Sequence, residues 1–205
     1  MKNQLIIVAL SCLMLNCNRQ SQKKDTVMTT EKFDVESFNK RKEKDPTYGG
    51  IITLEDGTVK KQSGPGIKGG AFEQITPPLP IFYKINKGYH KSTNILEAKG
   101  KIIGDLSIDT WQYFDEQGRL VKETDENVKF GKHHYNDALK FLEKEGWINL
   151  KTGEGRERFS LGYENNVWYI TILSQPWNGN VETYYEVSAN TMETLKKEVT
   201  QRGKE

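Results

Sequence analysis

Trp111-Gln112-Tyr113-Phe114-Asp115-Glu116-Gln117-Gly118-Arg119-Leu120-Val121-Lys122-Glu123 decides the fold class. An aromatic, β-prone run meets a polar tetrad that ends in glycine, and a second β-prone run follows. Asp-Glu-Gln-Gly suits a type I turn closed by a glycine in the left-handed region, so the stretch predicts an antiparallel hairpin. Period-two alternation predicts that Trp111, Tyr113 and Leu120 share a face.

Moving toward the N-terminus, the same plan recurs loosely. Phe82-Tyr83-Lys84-Ile85-Asn86-Lys87-Gly88 reads as an aromatic strand and a polar turn, with Asn94-Ile95-Leu96-Glu97-Ala98 as the return strand after a short insert. Before it, Pro77-Pro78-Leu79-Pro80 is extended and stiffens the approach to a strand over Ile81–Ile85; a docking peptide is the other reading. Ile51-Ile52-Thr53-Leu54 and Thr58-Val59-Lys60 flank Glu55-Asp56-Gly57. Asp-Gly between two such runs is a strong hairpin signal, in which both central residues need positive φ. Residues 63–70 are glycine-rich but lack the Gly-Lys-Ser/Thr ending of a phosphate loop, and read as a flexible connection.

The quoted stretches resemble the MORN-2-like repeats of bacterial secreted and immunity-type proteins, whose text runs Trp-x-Tyr-Tyr/Phe, Asp-x-x-Gly-x-Leu, Lys-Glu. The copy at Trp111–Glu123 matches well; the one from Phe82 has lost its Trp and gained an insert. The resemblance spans about 45 residues, Phe82 to Asp125. It implies stacked hairpins whose aromatics serve the core first.

Toward the C-terminus the period changes. Asn136 can cap a helix in which Ala138, Leu139, Phe141 and Leu142 recur at helical spacing, Gly146 ends it, and Trp147 folds back on the last turn. Strands are predicted over Glu157–Tyr163, Val167–Leu173 and Glu182–Ser188. Asn165-Asn166 marks the first turn between them, and Pro176-Trp177-Asn178-Gly179-Asn180 the second. Asn190 and Glu193 form a capping box, with Met192, Leu195 and Val199 at helical spacing, so a short C-terminal helix is predicted. The unit vaguely resembles the PepSY-like units of bacterial envelope proteins, with Ser188 and Met192 where that family has Asp and Gly. The fold class expected is α+β: antiparallel hairpins or a meander, followed by a helix packed on a small antiparallel sheet.

The N-terminus is of another kind. One lysine precedes an apolar run of about eleven residues, Leu5–Leu15. A spanning helix needs about 20, so the run reads as the core of a secretory signal. Here the chain resembles a bacterial lipoprotein signal, in which a cysteine is acylated and becomes the first mature residue. Cys17 ends the apolar run and precedes a polar stretch. Cys12 has the better preceding residue, Ser11, but would leave Leu13-Met14-Leu15 on the mature side. Cys17 is favoured and Cys12 is the alternative. The resemblance implies a diacylglycerol thioether, an acylated amine and stable membrane anchoring. Asn18 in place of Asp implies outer-membrane delivery. The absence of an acidic run after Cys17 implies a body facing the periplasm. The expected organisation is a signal peptide over 1–16, a polar tether over 17–45, a β-rich repeat-like region over 46–130 and an α+β unit over 131–205. In the tether a short helix over Val35–Asn39 fits the residues, but its composition buries little. The whole chain resembles small lipoproteins of the Bacteroidota type.

Composition narrows the function. The chain has 205 residues with 30 Lys+Arg against 28 Asp+Glu, and a mean hydropathy of −0.73. That balance gives no basic field, so nucleic acid is not an expected partner. Cys12 and Cys17 are the chain's cysteines, which excludes a disulfide scaffold or a cysteine site in its body. His133 and Asp137 are spaced to share a helix face, but no further ligand completes a metal site. Asp105, Asp109, and Glu154 beside Arg156 are candidate acid–base groups in polar text, and Ser160, Ser174 and Ser188 lack a nucleophile setting. No catalytic residue, metal or cofactor is therefore assigned. Trp177, in a turn, and Tyr184, whose neighbour Tyr185 must face the other way, are the candidate interaction residues. For Trp177 the alternative is a loop folded back on the sheet. The expected function is a membrane-anchored, non-enzymatic envelope lipoprotein that binds a protein or peptide, of immunity type in one version. The alternatives are a structural or assembly lipoprotein and, behind it, a hydrolase with an unrecognised site.

Overall fold

The computed structural model describes residues 27–66, 69–173 and 181–200. The cysteines, the apolar run, the segment 17–26 and the turn carrying Trp177 lie outside the described residues.

Two antiparallel sheets and two helices make the class α+β. Helix α1 spans Val35–Lys44. Strands β1 (Ile51–Thr53), β2 (Val59–Ser63), β3 (Phe72–Thr76), β4 (Lys84–Tyr89), β5 (Leu96–Ile103), β6 (Leu106–Phe114) and β7 (Leu120–Asp125) follow. They form one seven-stranded sheet in sequence order, a pure meander. A 3-10 turn at Glu126–Lys129 leads to α2 (Tyr135–Lys144). Strands β8 (Phe159–Glu164), β9 (Val167–Leu173), β10 (Val181–Ser188) and β11 (Thr194–Val199) form a four-stranded sheet in the order β11-β10-β9-β8.

The central hairpin forms where the sequence places it. Gly118 takes φ +79° and donates to the Asp115 carbonyl (2.8 Å), while Asp115 donates to Arg119 (3.0 Å). Its facing differs from expectation. Leu120 pairs with Phe114, and both join the buried cluster beneath the sheet, whereas Trp111 and Tyr113 point to the other face. Asn165 and Asn166 both adopt positive φ, as a two-residue hairpin requires. In the Asp56-Gly57 turn Gly57 alone does so; the Asp56 carboxylate accepts from the Thr58 N–H (2.8 Å) instead.

The loose first copy folds with a shifted turn. Asn86-Lys87-Gly88 continues β4 rather than ending it, and the chain reverses at His90–Asn94, where Asn94 takes φ +56°. Extending the strand carries Tyr89 into the core. Ile81–Tyr83 precedes the strand, and Phe82 packs on Phe159 in the other core (6.2 Å between rings).

Residues 27–45, expected as tether, are folded. Val27 and Thr29 bond to Leu120 and Gly118, Phe33 bonds to Asn94, and Glu31 accepts from Leu96, so the segment runs as a strap along the hairpin ends. Asp34 caps α1 through Ser37 (2.9 Å). Average composition hides two anchors: Phe33 and Phe38 are buried with Tyr89, Leu96 and Phe114. Glu31 and Lys87 pair at 2.6 Å, and the Tyr89 hydroxyl donates to Glu31 (3.1 Å). Glu73, its side chain 7% exposed, accepts from Gln62 (2.6 Å), which in turn accepts from Arg41 of α1 (2.5 Å). Burial, then Glu73 and Glu31, raises the Tyr89 hydroxyl well above its ordinary range.

The larger core joins α2 to the four-stranded sheet and the end of the first. Ala138, Leu139, Phe141 and Leu142 pack on Leu161, Trp168, Ile170, Tyr185 and Val187, with Phe82, Ile103, Ile108 and Phe130 from before position 131. His134, not Asn136, is the N-cap; the Asp137 carboxylate accepts its backbone N–H (3.2 Å). Gly146 (φ +80°) ends the helix, Trp147 donates its backbone N–H to Leu142 (2.9 Å), and its indole reaches the Tyr185 hydroxyl (2.9 Å). The predicted C-terminal helix is strand β11. Met192 at φ +58° and the Ser188–Glu193 bond (2.9 Å) close a turn that returns the chain along β10. There its backbone pairs with an edge otherwise left open, and pairing rather than burial holds it, because Leu195 and Val199 stay exposed on the strand. Among the described residues no helix is long and apolar enough to cross a membrane.

Candidate interaction surface

The groups singled out for chemistry are dispersed. His133 Nδ1 lies 3.4 Å from Asp137, whose carboxylate also receives Lys140 and the His134 backbone, so it serves the helix start. Asp105 is exposed at the turn between β5 and β6. Glu154 is exposed, while Arg156 donates to the carbonyls of Pro77 (2.7 Å) and Ile81 (2.9 Å) and holds that loop. Small clefts of about 280 and 360 Å³ flank Arg158, whose guanidinium lies over Trp147 (5.9 Å) and pairs with Glu182 (3.0 Å). Ser160 and Ser188 lie on β8 and β10; Ser174 lies outside the described residues. Among the described residues no group of three or more His, Cys, Asp and Glu could hold a metal ion.

Asp109 alone sits in a concentrated cluster. It takes φ +54°, receives Asn127 (3.1 Å) and Tyr135 (3.3 Å) on one oxygen, and binds Lys101 (2.9 Å) on the other. Its own N–H donates to the Asn127 side chain (3.1 Å). Burial pushes this carboxyl up, but Asn127, Lys101 and Tyr135 outweigh it and hold it below the usual range. Burial and then the Asp109 charge raise Tyr135, and the Asp109 hydrogen bond raises Lys101. Both carboxylate oxygens are engaged, and the partners come from β5, the 3-10 turn and α2, so the cluster ties the sheet to the C-terminal unit.

Tyr184 faces outward from the four-stranded sheet, half-buried, while Tyr185 packs on Phe141 (5.4 Å). Its hydroxyl donates to Glu186 (3.3 Å) and Lys196 lies 5.8 Å above its ring. Burial and then the Glu186 charge raise this hydroxyl. Trp177 lies outside the described residues, so the pair cannot be placed together.

The open surface lies elsewhere, on the face of the seven-stranded sheet opposite the strap. Directly paired residues share a face, so registers trace rows across it. One row runs Ser63, Phe72, Gly88, Ala98, Tyr113, Lys122. The next holds Lys61, Gln74, Asn86 and Gly100, with Trp111 laid over the glycine. An added Cβ at Gly100 would overlap the indole, which shows that Trp111 lies flat on the sheet. Its Nε1 donates to the Lys101 carbonyl (3.2 Å), and its ring is 6.4 Å from Tyr113 with 32° between planes. The two rings form one shallow platform. Beside it the floor is low: a Cβ at Gly88 would meet no described atom within 4 Å, and Phe72 across from it is 39% exposed. Gln74 donates to Asn86 (3.1 Å) at the centre.

From the sequence Trp111 and Tyr113 read as core. The pair Tyr113-Phe114 is the signal that one aromatic had to face away, although it does not say which. No protein-family model, no curated protein and no solved structure matches the chain.

Proposed function

We propose that this chain is a lipid-anchored protein of the bacterial envelope, held by Cys17 at the periplasmic face of the outer membrane. Its folded body then acts as a non-enzymatic module that binds a protein or peptide. One observation carries the binding reading: a flat sheet face presents Trp111, Tyr113 and Phe72 around a floor of Gly88, Ala98 and Gly100. Large aromatics in a flat patch are the residues that dominate protein contacts. Small-molecule sites are instead concave and enclosed. The likeness of residues 82–125 to MORN-2-like repeats, and of the N-terminus to a lipoprotein signal, supports the same reading.

A photo-crosslinking residue at Gln74, on this face, tests it in intact envelopes against the same residue at Gln112, on the opposite face. A discrete protein adduct at Gln74 and not at Gln112 is expected. No adduct at Gln74 removes the reading. Mass spectrometry of the mature N-terminus tests the anchor: a Cys17 carrying a diacylglycerol thioether and an acylated amine is expected, and a free thiol or another N-terminus refutes it. A structural or assembly role draws support from the ion-pair clusters at Lys87 and Asp109, which tie the strap and α2 to the seven-stranded sheet. Loss of envelope integrity on deletion, without any Gln74 adduct, would favour that role.

A further inference from the structure

Residues 18–26 separate Cys17 from Val27, the first described residue. At full extension that stretch spans about 35 Å, so an anchor at Cys17 keeps Val27 within that distance of the lipid. Val27 enters the fold at a corner. Its carbonyl accepts from Leu120 (2.9 Å), Thr29 donates to Gly118 (2.8 Å), and Met28 bridges to Arg119, which sets 27–29 beside the start of β7. This corner lies at the hairpin end of the meander. The larger core, with α2 and the four-stranded sheet, takes in Ile103, Leu106 and Ile108 at the opposite ends of β5 and β6. The eight residues of β5 put about 26 Å between the two ends.

The corner is apolar and uncovered. Val27 is 56% exposed, Met28 60% and Val121 62%. Val121 is the extra residue of a bulge between the pairs Tyr113–Lys122 and Phe114–Leu120, so it has no partner on β6. Arg119, beside Met28, is matched by Asp115 (2.7 Å). Three such side chains are too few to hold a free protein on a bilayer. An anchored chain meets its own membrane at an effective concentration of about millimolar, so even a weak contact is populated. We propose, resting on the Cys17 anchor, that the corner of Val27, Met28 and Val121 docks on the lipid surface that carries the anchor. The meander then stands on the membrane by this corner, and the four-stranded sheet points away. The open face around Gln74, four strand spacings of about 4.8 Å from β7, stays clear of lipid.

The test uses the acylated full chain, purified from envelopes and reconstituted in phosphatidylethanolamine–phosphatidylglycerol vesicles. A genetically encoded dansyl-alanine replaces Val121 or, as the remote comparison, Leu195, which is similarly exposed on β11. Nitroxide-labelled lipid should quench the Val121 probe strongly and the Leu195 probe little. Val27→Glu with Met28→Glu should reduce quenching at Val121 to the Leu195 level, because a carboxylate is costly to bring into lipid, while Met28→Leu leaves it unchanged. Retained trypsin resistance of α1 shows that the strap stays latched in the double variant; if resistance is lost, Val121→Glu with the probe at Met28 takes its place. Salt that shortens the screening length from about 10 Å to 3 Å should change nothing, because the contact is apolar. Equal quenching at the two positions, or quenching lost in salt, overturns the proposal. So does quenching that survives the glutamates, which would mean that the anchor alone holds the corner near lipid. Flotation with the vesicles reports the anchor separately. If the chain floats and the Val121 probe stays unquenched, the docking falls and the anchor stands. If the chain does not float, both fall.

Discussion

Replacing Phe33 by alanine should unlatch residues 27–45 without unfolding the sheets. Phe33 is 5% exposed, and its ring lies 5.6 Å from Phe38 and 5.4 Å from Tyr89. It therefore anchors the strap at its junction with α1. Truncating a buried phenylalanine costs about 3–5 kcal/mol. Most of that should fall on the strap's own opening, because the larger core, built on α2 and the four-stranded sheet, does not include Phe33. At 1.4 kcal/mol per factor of ten, 3 kcal/mol raises the open population by roughly 10²-fold. The backbone bonds of Thr29, Phe33 and Leu120 and the Glu31–Lys87 pair remain to hold it partly in place.

Trypsin reports this directly, because Lys40, Arg41, Lys42 and Lys44 lie on α1 and cleavage requires the helix to open. When opening and closing are fast, the cutting rate follows the open population. The wild-type chain should resist cutting there, Phe33→Ala should be cut roughly 10²-fold faster, and Phe33→Leu should fall between. Hydrogen exchange should show matching loss of protection in residues 33–44 and little in β8–β10. Wild-type cleavage as fast as that of an unstructured peptide would show that 27–45 is a tether after all. An unchanged rate in Phe33→Ala would show that Phe33 is no anchor.

Other perturbations separate the clusters. Gly100→Ala should displace the Trp111 indole, cost about 1–3 kcal/mol as an overpacking change, and shift tryptophan fluorescence to the red; an unchanged spectrum would contradict the flat placement. Asp109→Ala should destabilise by about 1–3 kcal/mol through its lost partners, and more than Asp109→Asn, which tolerates the positive φ and can still meet Asn127. Because the folded state lowers the Asp109 pKa, its contribution is complete above the unfolded value of about 3.9 and disappears as pH falls below it. The melting difference between wild type and Asp109→Asn should thus be constant from pH 6 to 8 and shrink below about pH 4. Lys87→Met should cost about 1–3 kcal/mol, since it leaves the part-buried Glu31 and the buried Glu73 without their shared cation; denaturant titration gives the value.

Features fixed by a few neighbouring residues were legible in the sequence. The turns at Asp115–Gly118 and Asn165-Asn166, the strand Val167–Leu173, and the helix ended by Gly146 depend on local φ preferences and short-range periodicity, and they form as read. Features that depend on a partner from elsewhere in the chain were not. Thr194–Val199 has helical spacing but lies beside the open edge of β10, and pairing takes it. Asn86-Lys87-Gly88 looks like a turn, yet Phe72 and Ala98 on both sides of Gly88 hold it in strand. The Asp109 cluster draws on positions 101, 109, 127 and 135, a set no local window joins.

The folding of residues 27–45 and the exposure of Trp111 and Tyr113 have one cause. A seven-stranded meander has two faces, and alternation puts aromatics on both: Tyr89 and Phe114 on one, Phe72, Trp111 and Tyr113 on the other. Alternation alone is symmetric between them. The choice falls to whatever covers one side, and Phe33 and Phe38 cover the side of Tyr89 and Phe114, bringing Glu31 and Arg41 to the polar residues there. Once that side is sealed, the other keeps Phe72, Trp111 and Tyr113 at least partly exposed. If residues 17–45 were a tether throughout, the Phe114 face would lack its cover, and Trp111 would be as good a core residue as Phe114. The strap therefore does two things in one fold. It closes the small core of the meander, and it determines which face of the sheet remains available to a partner.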